Sequence, residues 1–398
     1  MEAIDYGTGE YFGEVKSGRN LNAELHMDFC PDTARLDRFR LLNTVRTVCP
    51  EHRTANCLRF QKQVGGYSSD GIPLTLDVEV WQSLEHQKCH YKNLTVCGRV
   101  WTCPVCTAKI NEGRRKELKA VCQAHQKAGG TVLMITKTFS HTRFDSLSEM
   151  LSGLSKANDR FWRCADIKKL RKSLNLVGYI RAVELTYGQA NGWHPHYHEL
   201  WLVGPNNDLP EIKKTVFRKW RDFTEKVGLG SPNEEYGVHV RGAADAWAYM
   251  TKFGDEGWDY SHEMTKHHVK KAKNNRFTPF SLLRVFNGDL NVEGMPAKEH
   301  AKKLFQEYAK VMHRKRQLQY SRGLKDLYEI EEIEDEELVE KAEEDSIRLA
   351  TIDDTNWKKI LWSDAREQSR ALVLSFAQKD LVLMWDYINA LPAPPKNY

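Results

Sequence analysis

The chain of 398 residues has no apolar run close to the ~18–20 residues that a membrane span needs. It also lacks a glycine-rich loop ending in lysine and serine or threonine, so a fused ATP-driven helicase is not expected, and a host helicase is a candidate partner. The first twenty residues, MEAIDYGTGEYFGEVKSGRN, are polar and acidic, without the apolar centre of a secretory signal. The expected setting is therefore the cytoplasm, with no membrane partner. No internal repeat is present.

Cysteine is what the chain does hold. There are nine, an odd number, and Cys97, Cys103 and Cys106 cluster in CGRVWTCPVC. In a reducing compartment such a cluster points to metal before disulfides. A tetrahedral structural zinc needs a fourth ligand. Cys57 in ANCLRF and Cys89 in QKCHY are the cysteine candidates, and His90 is a weaker one. Cys57 is preferred because it precedes a segment able to pair back. The competing reading is a set of buried thiols acting as small apolar side chains.

The net charge of +5 conceals a division. Between Asp326 and Asp345 there are twelve acidic residues against one lysine, Lys341, so the remainder is strongly basic. Basic runs occur at KKLRK (168–172), KHHVKKAKNNR (266–276) and HRKR (313–316). Such a body suits DNA, because lysine and arginine displace counterions from phosphates. Lys270, Lys271, Lys273 and Arg276 are the candidate DNA-binding residues. A plain solvated basic surface is the alternative.

Patterning predicts an α+β fold with a mainly antiparallel sheet in the middle third. Residues 1–48 read as a poorly structured extension, and 49–128 as a cysteine-bearing, zinc-like segment whose helix, Thr107 to Lys127, stops at Gly129–Gly130. Residues 129–290 read as the catalytic domain and 291–398 as a helical C-terminal region with the acidic segment 326–345. Strands are expected at 131–141, 177–187, 195–203 and 236–242, with helices at 209–227 and 243–253.

The most informative stretch is GYIRAVELTYGQANGWHPHYHELWLV, residues 178–203. GQANG carries glycine at both ends, a hairpin-loop signal. Folding about Ala190 sets Glu184 opposite His196 and Thr186 opposite His194. Side chains alternate along a strand, so Glu184, His196 and His198 share one face. Two imidazoles and a carboxylate form a three-ligand set that leaves positions open on a divalent cation. His194 lies at the edge of that face, as a substrate contact or a structural residue. His-x-His-x-His is also the spacing of histidine-triad nucleotide hydrolases, but Pro195 and Glu199 fit that pattern poorly.

Phosphodiester chemistry by a covalent route also needs a nucleophile. In DAWAYMTK (245–252), Asp245, Tyr249 and Lys252 fall on one helical stripe. Lys252 offers positive charge to a phenol, and Asp245 can accept a proton or activate water. A surface helix with its tyrosine against the core is the plain alternative.

GWHPHYH preceded by VELTYG and followed by YMTK resembles the HUH endonuclease superfamily, and within it the rolling-circle replication initiators of small bacterial plasmids. VCGRVWTCPVCTAKINEGRRKEL, VLMITKTFSH, TPFSLL and RQLQYSRGLK are similar to further segments of that family, in its order. The resemblance spans roughly residues 90–325. It implies a sheet carrying the histidine face, with His196 and His198 as the metal pair and Glu184 as third ligand. It further implies Mg²⁺ or Mn²⁺ as cofactor and attack by Tyr249 on a single-stranded or hairpin origin of a plasmid or phage. Attack leaves a 5′-phosphotyrosyl link and a free 3′-hydroxyl. Asp245 stands where the family carries a water-activating glutamate. A transposase of the same superfamily is the near alternative, and a zinc-containing DNA-binding protein without catalysis the distant one.

Overall fold

The computed structural model describes residues 3–4, 11–12, 32–71, 73–252, 276–341 and 345–395. The architecture is α+β, with an antiparallel sheet flanked by helices, a cysteine cluster upstream and helices at the C-terminal end. The central sheet comprises β1 (Thr131–Lys137), β2 (Gly178–Gly188), β3 (Gly192–Val203), β4 (Val238–Arg241), β5 (Arg276–Phe277) and β6 (Leu318–Tyr320). Their order is β4–β1–β3–β2–β5, with β6 also joined to β2, and every pairing is antiparallel.

Alternation along β3 gives the sheet two different faces. Trp193, Tyr197 and Trp201 point one way, into a core with Leu133, Ile135 and the helices Leu147–Arg163, Leu209–Lys226 and Lys298–Val311. In the first of these helices Leu147, Met150, Leu151, Leu154 and Phe161 recur at helical spacing, which makes one face apolar. On the opposite face Leu200 and Leu202 pack with Ile180, Ala182, Val132 and Met134. That face is covered by Leu118, Val121 and Cys122 from helix Pro104–Lys127 and by Ala246 and Met250 from helix Ala243–Lys252.

A fully buried ion pair lies within the first core. Lys137 Nζ is 2.8 Å from Glu199 Oε1, and neither side chain is exposed at all. Lys137 also donates to Asn158 Oδ1 at 2.8 Å and sits 4.3 Å from the Phe161 ring centroid. The second Glu199 oxygen accepts from the Trp201 indole at 2.9 Å. Burial pushes the Lys137 ammonium down to about 8, against the opposing pull of Glu199.

The cysteine segment forms a second core with the C-terminal part of the chain. Strands Ser346–Ile352, Val78–Ser83 and Cys89–Lys92 make a three-stranded sheet, centred on Val78–Ser83. Val78, Val80 and Tyr91 pack with Leu372, Phe376 and Tyr387 of the C-terminal helices. Arg370, fully buried, pairs with Asp364 at 2.8 Å and donates to the carbonyls of Cys57 and Leu58 at 3.3 and 2.9 Å.

Three elements differ from expectation, one of them strand Ser346–Ile352, which lies in the region read as helical. Within the segment read as an extension, Thr33–Val48 is a helix capped by Asp32, whose side chain accepts from the Arg35 amide. Leu36, Phe39, Leu42 and Val45 of that helix are buried, but arginines interleave with them and blur the sequence pattern. β6 lies in a region read as helical throughout. Its three residues pair with Ala182, Arg181 and Ile180, so a distant partner fixes them. The acidic segment holds a short helix, Asp335–Lys341, docked on basic side chains: Arg114 meets Asp335 at 2.7 Å, Lys62 meets Glu340 at 2.9 Å and Arg53 meets Glu336 at 3.4 Å. Among the described residues no helix is long and apolar enough to cross a membrane.

Removing one member of a buried ion pair strands the other charge, at a cost of about 3–5 kcal/mol. Glu199→Ala should lower the unfolding free energy by that order in urea titration. The apolar double variant Lys137→Met with Glu199→Leu should recover most of the loss.

Candidate functional site

Gly192, at φ +75°, closes the hairpin between β2 and β3 where a side chain would not fit: an added Cβ would lie 2.8 Å from the Arg143 Cα. From this turn the strands pair in unbroken register, with Glu184 opposite His196, Thr186 opposite His194 and Ala182 opposite His198. Glu184, His196 and His198 thus converge on one face, all half-buried, with their ligand atoms within 4.8 Å of one another.

The convergence is tight. Glu184 Oε2 is 3.1 Å from His198 Nε2 and 3.5 Å from His196 Nε2, and the two Nε2 atoms are 3.1 Å apart. Donor atoms ~2.1 Å from one divalent ion lie about 3.0–3.4 Å from each other in octahedral or tetrahedral geometry, a range close to these separations. The outer ring nitrogens are anchored as well. His196 Nδ1 meets the His194 carbonyl at 3.3 Å, and His198 Nδ1 meets Thr136 Oγ1 at 2.9 Å. A carbonyl only accepts, so Nδ1 of His196 is the donor in that contact and Nε2 is the ring nitrogen turned toward Glu184. Burial alone would raise the Glu184 carboxyl, but hydrogen bonds from His196 and His198 outweigh it and hold the group far below the usual carboxylate range.

Tyr249 reaches the same carboxylate from helix Ala243–Lys252. Its hydroxyl donates to Glu184 Oε1 at 2.9 Å, and its ring centroid is 5.0 Å from that of His198. Asp245, one turn earlier, is half exposed and lies 3.8 Å from Arg241. The side chain of Lys252 lies outside the described residues, as do Lys270, Lys271 and Lys273 entirely. Arg276 is exposed on β5, paired with Gly188 at the hairpin end.

His194 continues the row. Its ring is 5.1 Å from that of His196, its Nδ1 lies 2.7 Å from His141 Nε2, and its Nε2 lies 3.3 Å from Thr138 Oγ1. Burial first, then the neighbouring His196 and His141, push its imidazole down to about 3, so it is neutral at physiological pH. Sequence reasoning did not single out Thr136, Thr138 or His141. The alternate threonines at 136 and 138 were an available signal, since β1 pairs with β3 and sets Thr136 opposite His198.

The second cluster is Cys57, Cys97, Cys103 and Cys106, all buried. Sulfur separations are 3.6 Å for Cys57–Cys106 and Cys103–Cys57, and 3.7 Å for Cys97–Cys106. Four thiolates held tetrahedrally ~2.3 Å from an ion lie about 3.8 Å apart, which these sulfurs match. Hydrogen bonds from Cys103, Cys57 and Cys97 hold the Cys106 thiol well below its usual range. Cys57 enters the cluster because the chain after it pairs back: the Leu58 amide donates to the Thr95 carbonyl at 2.8 Å, and the Thr95 amide to the Phe60 carbonyl at 2.7 Å. Cys89 stands in the neighbouring strand, outside the cluster, where burial raises its thiol to about 11.

The family described as replication protein matches residues 89–366. A protein rep of Streptomyces lividans is 28% identical over 289 residues, 58% of this chain and 63% of that protein. A neomycin resistance protein of Streptomyces cyanogenus is 29% identical over 136 residues, covering 28% of this chain and 31% of its own length. A protein rep of Streptococcus pneumoniae is 36% identical over 75 residues, 19% of this chain and 22% of that protein. The chain therefore spans less than two thirds of the length of each of these relatives. No solved structure matches.

The cysteine geometry yields a direct test. Elemental analysis of the purified chain should find one tightly held metal ion that Cys57→Ser loses and Cys89→Ser retains.

Proposed function

Because the chain belongs to the replication protein family, we propose that it is a rolling-circle replication initiator that nicks and rejoins single-stranded DNA at a plasmid or phage origin. One observation carries this reading: a single carboxylate, Glu184, accepts from the Tyr249 hydroxyl through one oxygen and faces His196 and His198 through the other. A nucleophile and a ligand set for a hard cation thus share one group. Bound at Glu184, His196 and His198, Mg²⁺ or Mn²⁺ would supply Lewis acidity at the scissile phosphate.

The protein's own residues account for the rest. Tyr249 is a weak nucleophile while protonated. Its proton already points at Glu184 Oε1, so the phenol oxygen is oriented before substrate arrives. Attack forms the tyrosyl O–P bond and breaks the bond to O3′, which takes up a proton and leaves as a 3′-hydroxyl. The 5′-phosphate stays on Tyr249. Asp245, half exposed one turn away, would hold a water for the terminating hydrolysis. Lys252 would add positive charge beside the phenol, and the run containing Lys270, Lys271, Lys273 and Arg276 would meet DNA phosphates.

The four-cysteine cluster would hold a structural Zn²⁺, a reading supported by four buried sulfur ligands in one cluster. The catalytic unit would occupy residues 129–290, joined by β6 and helix Lys298–Val311. Any helicase would act in trans.

Incubation with labelled single-stranded origin DNA and Mn²⁺ should give a covalent adduct that peptide mapping places on Tyr249. Tyr249→Phe should form none while binding the same DNA normally; an adduct on that variant would remove the nucleophile from the mechanism. Alanine at His196 and His198 should abolish cleavage, and with it the dependence on added metal.

A further inference from the structure

Beside the ligand set, at the tip of the β2–β3 hairpin, lies a groove of about 420 Å³. His141, Arg143, Gln189, Asn191, His194 and Arg276 line it, and no carboxylate occurs among the described lining residues. It lies beyond the end of the histidine row. Tyr249 stands beside His198, with ring centroids 5.0 Å apart; His196 is 4.8 Å from His198, and His194 is 5.1 Å from His196. The groove opens past His194, at the end remote from the phenol.

Its walls are held by polar contacts. His141 bridges them, with Nε2 2.7 Å from His194 Nδ1 and Nδ1 3.0 Å from the Asn191 carbonyl. The loop carrying Arg143 is further fixed by the Thr142 amide and hydroxyl, which donate to Asp145 Oδ2 at 2.6 and 3.0 Å. That turn presents Phe144 to solvent, 81% exposed, with the Arg143 guanidinium 4.8 Å from its ring centroid. An exposed aromatic ring against the groove-lining Arg143, next to a groove whose lining includes the amides Gln189 and Asn191, is the chemistry of single-stranded nucleic-acid binding.

We propose that this groove seats the nucleotide immediately 5′ of the scissile phosphate, its base stacked on Phe144 and its phosphate held by Arg143 and Arg276. The assignment rests on the nicking reading above, and its polarity follows from in-line displacement. The leaving O3′ departs on the side of phosphorus opposite the attacking phenol. With Tyr249 at the His198 end, the sugar bearing O3′ lies toward His194 and the groove. The groove would also retain the released 3′-hydroxyl end, ready for the reverse joining step.

The test uses the full chain carrying Tyr249→Phe, so that binding is read without cleavage, and a labelled single-stranded oligonucleotide spanning the nick site. Phe144→Ala should weaken binding about tenfold, the order of one base–aromatic stack, and Phe144→Trp should restore it. Phe144 is exposed, so melting curves of these variants should superimpose on that of the parent. An abasic site at the first nucleotide 5′ of the nick should weaken the parent by a similar factor and add nothing to Phe144→Ala. An abasic site at the first nucleotide 3′ of the nick should affect both proteins equally. Unchanged affinity of Phe144→Ala, or full additivity with the 5′ abasic site, overturns the proposal. If the unmutated chain gives no Tyr249 adduct, the nicking reading fails instead, and a Phe144 effect on affinity would still place nucleotide binding at the Arg143–Phe144 turn.

Discussion

Everything that makes this sheet useful depends on the register of β2 against β3, eleven consecutive pairs running from Gly178–Leu202 to Gly188–Gly192. Because strand side chains alternate, a slip by one residue would exchange the two faces entirely. Trp193, Tyr197 and Trp201 would then occupy the ligand face, and the imidazoles would be forced into the apolar core. The Lys137–Glu199 pair acts against such a slip. Glu199 is adjacent to His198 but points the opposite way, into a buried site where the Lys137 ammonium meets its carboxylate. Displacing Glu199 would strand two buried charges at once, a heavier penalty than any apolar mismatch. The ion pair thus helps fix which residues form the histidine face, although it lies on the far side of the sheet.

The same logic explains why the site could be read from the sequence. The hairpin is local: glycines bracket a short loop, and alternation does the rest, so Glu184 could be set opposite His196 by counting. The tyrosine stripe was legible in the same way, from helical spacing within eight residues. Both signals are confined to short stretches of chain. Convergence of the two, with the Tyr249 hydroxyl 2.9 Å from Glu184, required only that helix Ala243–Lys252 cover the histidine face.

What remained hidden was fixed by distant partners. β6 is three residues long, too short for periodicity, and is a strand only because β2 offers an edge. Helix Thr33–Val48 carries its buried residues among arginines, and two of those arginines find acceptors far away. Arg35 donates to Ser375 at 3.1 Å, and Arg40 pairs with Asp289. His141 was overlooked for a similar reason: nothing near it in sequence announces a contact with His194, fifty-three residues on. Where the acidic stretch docks was hidden because its countercharges, Arg53, Lys62 and Arg114, lie more than two hundred residues upstream.

That last arrangement bears on how the chain is made. The cysteine body begins at Cys57, yet strand Val78–Ser83 gains one neighbour only when Ser346–Ile352 has emerged. At translation rates of ~5–20 residues per second, the interval is roughly 13–50 s. During it Val78, Val80 and Tyr91 lack the cover that Leu372, Phe376 and Tyr387 later supply. The four clustered cysteines have all been made by Cys106, long before then, and a metal ion bound there would act as an early fastening. On the ribosome, the metal would hold the first-made end of the molecule in shape until the last-made end arrives to close it.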